Sequence, residues 1–340
     1  FRRPLEDGEI DGILRIFQLA HDRGESFERA IQITLTTVLV SPRFLFLIEP
    51  HATESDRPLT EYELATRLSY FLWSTMPDDE LLQDAQQGTL RKNLHAQVER
   101  MLADARSQAF VENFTGQWLQ LRQLVGVTPD KELFPDFDDE LRRAMRRETE
   151  AVFAHILREN CSILELLDSD YTFVNEVLAR HYKLENVAGE KFQRVLLPDK
   201  TRGGVLSHAG ILTLTSNHNR TSPVTRGKSI LQQLLGTPPP PPPPDVAQLD
   251  ESPKASSTAS LRQRLEVHRS SPECAACHSQ MDPMGFALEN FDAVARWRTT
   301  DGEFAIDPSG EIMGKGRFND AQGLRQLLKS AAHRKFSRCL

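Results

Sequence analysis

Residues 271–286 read SPECAACHSQMDPMGF, and the rest of the chain is best read outward from this stretch. Covalent haem attachment needs two thiols to add across two vinyl groups, and an imidazole beside the second thioether to reach the iron. One helical turn with the order Cys-x-x-Cys-His supplies all three. Cys274, Cys277 and His278 fit that order without a gap. With four cysteines and ten histidines in 340 residues, a chance match is expected about once in a thousand such chains. A structural zinc would want a second ligand pair, and no second Cys-x-x-Cys or His-x-x-x-His exists. A thioredoxin-like pair would want a βαβ setting, whereas a helical, proline-rich approach precedes this one.

If haem is bound, His278 is the proximal ligand. Met281 and Met284 follow too closely to reach the opposite face, so Met313 is the expected sixth ligand, with His208, His218, His268 and His333 as alternatives. Arg296 and Trp297 stand where a propionate or the haem edge would be met, although a core role is the favoured reading for Trp297. Cys161 and Cys339 read as free, buried thiols, and four scattered cysteines make no disulfide framework.

The first half reads as helix after helix. Ile10, Ile13, Leu14, Phe17 and Ala20 share one helical face, and Gly24 ends that pattern. SFERAIQITLTTVLVS is rich in β-branched residues, but its length and lack of turn residues favour helix. Thr60 and Glu63 form the S/T-x-x-E signature of a helix start. Further helical patterns cover roughly 90–104, 107–123 and 137–159. A multi-helix bundle is the natural architecture for this part. From about 189 the composition turns to Gly-Gly, β-branched and Ser/Asn/Thr clusters. The seven prolines after Thr237 can form only a polyproline II rod, about 20 Å long at roughly 3.1 Å per residue. The expected class is therefore mainly α: an N-terminal helical segment (1–55), a helical bundle (56–188), a loop- and proline-rich domain with the Cys-x-x-Cys-His motif (189–300) and a C-terminal segment (301–340), with a small cytochrome-like haem domain.

Several motifs carry less than they promise. RGKS at 226–229 has the Gly-Lys-Ser of a phosphate-binding loop, but Ser222 occupies the position of the required first glycine. Glu148, His155 and Glu159 lie on one helix without the Glu-x-x-His spacing of di-iron bundles, so a solvated face is the favoured reading. His218, Arg220, Arg226 and Lys228 could hold an anion such as a propionate, or simply belong to a self-satisfied loop. A net charge of −7 argues against a nucleic-acid or anionic-membrane surface. The longest apolar stretches, such as FLFLI at 44–48, fall far short of the roughly 20 residues of a membrane span.

FRRPLEDGEI leading to VLVSPRFLF, then LATRLSYFLWSTMPDDEL, DYTFVNEVLARHY, RTSPVTRGKSILQQLLGTPPPPPPP and CAACHSQMDPMGFALENFDAVARWR resemble, in that order, a family of large planctomycete proteins. Its members are built from domains of unknown function numbered 1595, 1592 and 1588 and are described as cytochrome-c-like. The similarity covers nearly the whole chain. It implies covalent haem c and export to the periplasm or another extracytoplasmic space. It also implies a longer polypeptide, from which a leader has been removed or of which this chain is a part. It leaves reaction and redox partner blank. The expected function is electron transfer through the haem on Cys274, Cys277 and His278. The alternatives are a haem-dependent oxidoreductase, acting for example on polysaccharide, and a non-catalytic binding scaffold.

Overall fold

The computed structural model describes residues 2–5, 8–47, 58–240, 259–269 and 272–340. Most of the proline run and the ESPKASSTAS stretch lie outside them. The protein is mainly α, with three two-stranded antiparallel sheets among the described residues. It divides into two compact units, residues 1–110 and 111–340.

In the first unit, α1 (Glu9–Asp22) packs on α2 (Phe27–Leu39), followed by a single turn, α3 (Pro42–Leu45). The threonines of α2 tolerate a helix because Thr34, Thr36 and Thr37 return their hydroxyls to the carbonyls of Ala30, Gln32 and Ile33, four residues back. Of the apolar face expected on α1, only Ala20 is buried; Ile10 and Leu14 stay about half exposed, at 51 % and 56 %. Then α4 (Glu61–Trp73) starts at the expected box: Thr60 Oγ1 accepts from the Glu63 amide, and the Thr60 amide donates to Glu63 Oε2. With α5 (Asp79–Gln87) and α6 (Leu90–Ala103) it encloses a core of Ala65, Leu72, Trp73, Leu81, Leu90 and Met101. Buried Trp73 keeps its indole N–H satisfied on the Met101 carbonyl at 2.9 Å.

After α7 (Gln108–Trp118), the second unit is organised by α8 (Asp139–Arg158), whose N-cap Asp138 accepts from the Leu141 amide. Strand β1 (Tyr171–Val174) packs on α8 and pairs with β2 (Gln193–Leu196), Tyr171 opposite Leu196. Next come α9 (Glu176–Tyr182), α10 (Ala209–Leu214) and α11 (Pro223–Ser229). RGKS thus lies inside a helix capped by Ser222, which accepts from the Thr225 amide, and forms no phosphate loop. Helices α12 (Leu261–His268) and α13 (Pro272–Phe286) follow. The hairpins β3 (Thr300–Asp301) with β4 (Phe304–Ala305), and β5 (Gly310–Ile312) with β6 (Gly316–Phe318), lead to α14 (Ala321–Ala331) and α15 (His333–Cys339).

The solvated face expected for Glu148 does not form, because β1 and the segments after it cover that side of α8. Glu148 is 1 % exposed. Its carboxylate accepts from Thr172 Oγ1 (2.7 Å), Tyr182 Oη (2.6 Å) and the Ala209 amide (3.3 Å), so the buried charge is met from three elements. Arg202 lies over the Tyr182 ring at 3.7 Å and donates to the Ser207 and Ala295 carbonyls. Next to this cluster His208 is buried, with Nδ1 2.9 Å from Thr149 Oγ1. On α9, His181 Nε2 lies 2.6 Å from the Val294 carbonyl.

Burial pushes the His181 imidazole down to about 4 and also lowers His208, against an ordinary value of 6.5. In the unfolded chain both rings take up protons as the pH falls through 6.5, while the folded protein refuses them, so stability must fall on acidification between about 6.5 and 4. Allowing for partial exposure, His181 accounts for on the order of 2 kcal/mol of this loss. Chemical denaturation from pH 7.5 to 4.5 should show a shallower decline in His181→Gln, which keeps a donor for Val294, than in the wild type. Parallel declines would contradict the assignment.

Candidate functional site

The spacing i, i+3, i+4 places Cys274, Cys277 and His278 on one stripe of α13. Continued by the same rule, that stripe reaches Met281, Asp282 and Gly285. The later members are buried, Met281 at 6 % and Asp282 at 0 %, whereas the two thiols and the imidazole are only partly covered. The difference follows from what α13 rests on. It crosses α11 at backbone distance: a Cβ at Gly285 would collide with the Pro223 carbonyl, and one at Gly227 with the Met281 carbonyl. Only glycine permits that approach at both places. The seven residues of α11 cover the C-terminal turns of α13, which include Pro283, a residue with no N–H to give the Ser279 carbonyl.

A buried guanidinium fixes the far end. Arg226 Nη1 donates to the carbonyls of Leu288 (2.6 Å) and Phe291 (2.9 Å) and lies 3.3 Å from Glu289 Oε1, while Nη2 donates to the Asp292 carbonyl (2.9 Å) and Ser216 Oγ (3.1 Å). Burial lowers Arg226 to about 10, which leaves it charged at neutral pH. Burial likewise raises the Glu289 carboxyl, against the pull of Arg226 and Arg298. Arg298 and Thr221 complete the shell on Glu289 Oε2. Of the basic cluster considered as an anion site, Arg226 is therefore spent on carbonyls, and His218 is exposed.

At the motif itself, none of the four cysteines is in a disulfide. The His278 side chain is 17 % exposed, and its Nδ1 lies 3.0 Å from Oδ1 of Asp282. Oδ2 of Asp282 is buried without a partner. Two unbonded thiols and an imidazole oriented by a carboxylate, all reachable on one helical face, are the donor set that covalent porphyrin attachment requires. Among the described residues no group of three or more His, Cys, Asp or Glu side chains is placed to hold a metal ion by itself.

The remaining sequence candidates are dispersed. Met281 and Met284 are buried, whereas Met313 sits in the turn of the β5–β6 hairpin at 76 % exposure; β5 packs on α13. Arg296 pairs with Asp292 and lies over the Phe134 ring at 5.2 Å. Trp297 is not in the core: it is 44 % exposed, edge-on to Phe291. His208 is buried with Thr149, His333 Nδ1 lies 3.0 Å from the Ser330 carbonyl, and the His268 side chain lies outside what is described. Cys161 and Cys339 are free and only partly buried. Sequence reasoning overlooked Asp282, although its place four residues after His278 on a helix was a usable signal.

Fold and site together define a mainly helical protein whose chemically marked element is the Cys-x-x-Cys-His helix α13. Three models of protein families of unknown function match consecutive stretches of the chain. Residues 1–49 match PSD5, "Protein of unknown function (DUF1595)"; residues 59–184 match PSD4, "Protein of unknown function (DUF1592)"; and residues 202–301 match PSCyt3, "Protein of unknown function (DUF1588)". No curated protein and no solved structure matches it. No helix among the described residues is long and apolar enough to cross a membrane.

The close crossing yields a direct expectation. Gly285→Ala and Gly227→Ala should each cost about 3 kcal/mol in chemical denaturation, because backbone carbonyls cannot swing aside. Alanine variants as stable as the wild type would show that α11 and α13 do not approach at backbone distance.

Proposed function

We propose that this chain is an extracytoplasmic c-type haem protein that transfers electrons through one haem held by thioethers to Cys274 and Cys277, with His278 as axial ligand. The observation that carries the reading is the placement of two unbonded thiols and an imidazole, all partly exposed, on one helical face. The motif also falls within the segment matched by PSCyt3, a label that itself points to a cytochrome-like domain. Bound haem would supply a one-electron iron couple. The chain's own residues supply the rest: Gly227, Gly285 and Arg226 hold the helix that carries the motif.

Met313 would be a second protein ligand to a haem in this reading: unlike Met281 and Met284, its side chain is not committed to packing. Trp297 offers its exposed side to a haem edge, and a propionate at Arg296 would compete with the Asp292 pair. Thioether formation takes place outside the cytoplasm, so an exported location goes with the proposal. The carboxylate behind His278 favours a second reading, in which a haem held by Cys274, Cys277 and His278 would supply peroxide-dependent oxidation of a substrate.

Protein exported by a host with cytochrome maturation machinery should give a pyridine haemochrome spectrum of one thioether-linked haem per chain. Cys274→Ser with Cys277→Ser should abolish it. Met313→Ala should convert a low-spin spectrum to high spin. Exported wild type with no added prosthetic group, or with Cys274 bonded to Cys277, would overturn the proposal. A wild type already high-spin and reactive with peroxide would favour the oxidative reading.

A further inference from the structure

The proposed function uses three side chains of α13 and leaves a fourth unexplained. Asp282 is fully buried, yet only one of its oxygens has a partner, His278 Nδ1 at 3.0 Å. The chain has another His–carboxylate pair at the same i, i+4 spacing, His95 with Glu99, and there both side chains are largely exposed, at 90 % and 68 %. A pair of that kind costs little and contributes little. Asp282 differs, because burying a carboxylate with half its acceptor capacity unused is expensive, and an apolar residue like its neighbours Met281 and Met284 would suit the position better. The cost is explained if the carboxylate acts on the imidazole.

We infer that Asp282 is the positioning residue of His278. A carboxylate can only accept, so it holds the proton on Nδ1 and leaves the lone pair on Nε2, the nitrogen then able to bind a metal. Hydrogen bonding to a buried carboxylate also makes the imidazole more electron-donating than a carbonyl partner would. The second effect rests on the haem reading: a more strongly donating axial ligand stabilises the ferric state and lowers the reduction potential. The first does not need haem.

Two readouts keep the inference apart from the haem proposal. In the wild-type chain produced without maturation machinery, ¹⁵N NMR of labelled histidines should find His278 as the Nδ1–H tautomer. Asp282→Asn should move it toward Nε2–H while circular dichroism stays unchanged. In the haem-loaded protein, Asp282→Asn should raise the midpoint potential and shift the iron–histidine stretching band of a high-spin ferrous form to lower frequency. An Nε2–H tautomer in the wild type overturns the inference even if the variant does not fold. So does a loaded Asp282→Asn protein with unaltered potential and band. Failure to find thioether-bound haem would count against the proposed function alone, and the tautomer would still decide the role of Asp282.

Discussion

Much of this structure depends on one buried cation. The segment that leaves α13, residues 288–298, turns back on itself through a bridge between Phe291 and Trp297, and much of it is buried, so several carbonyls face inward with no strand to pair with. Turn hydrogen bonds meet part of this need, the Phe291 amide donating to the Leu288 carbonyl and the Ala295 amide to that of Asp292, while the carbonyls of Phe291 and Ala295 have no amide partner among the described residues and would each cost about 1–3 kcal/mol if left unpaired. Arg226 collects three of them in one guanidinium, and Arg202 takes a fourth, that of Ala295. A planar group with five donors is the only side chain able to do this. Its own desolvation is offset by Glu289, which Arg298 and Thr221 hold in turn.

The candidate site inherits its position from that anchor. Once the exit of α13 is fixed, the helix can lie against α11 in only one way, with Gly285 and Gly227 at the crossing. The stripe that is buried at Met281 and Asp282 then emerges as His278, Cys277 and Cys274. The motif is therefore presented by a rigid base instead of a loop, and the carboxylate behind its imidazole comes from the buried part of the same helix. A second buried network, centred on Glu148, joins α8, β1, α9 and the segment around Ala209, and so ties the PSD4-matched region to the PSCyt3-matched one within one unit.

What the sequence revealed was what is local. The capping box at Thr60, the long helix around 139–158 and the failure of RGKS as a phosphate loop depend on neighbours within a few residues, and the thiols and imidazole of the motif sit within one turn and its next residue. What it concealed depends on partners far along the chain. Glu148 looked like one more charge on a solvated face because nothing local shows that Thr172, Tyr182 and Ala209 will close over it. Arg226 could be read as part of an anion site or of a self-satisfied loop, and neither is what forms, because its partners are backbone carbonyls about sixty residues away, which no residue type announces. A core role is the favoured reading of Trp297 in the sequence, yet the tight turn after Asp292 leaves one side of it in solvent.

The central claim is that the Arg226 guanidinium anchors the exit of α13 and thereby the helix itself. Hydrogen exchange on the full chain, comparing wild type with Arg226→Met, tests it most directly, because methionine keeps apolar bulk while removing every donor. The account predicts that amides across 281–298 lose protection together while those of α4 to α6 keep theirs. Equal protection across 281–298 in the two proteins would show that the helix is held by something other than this cation.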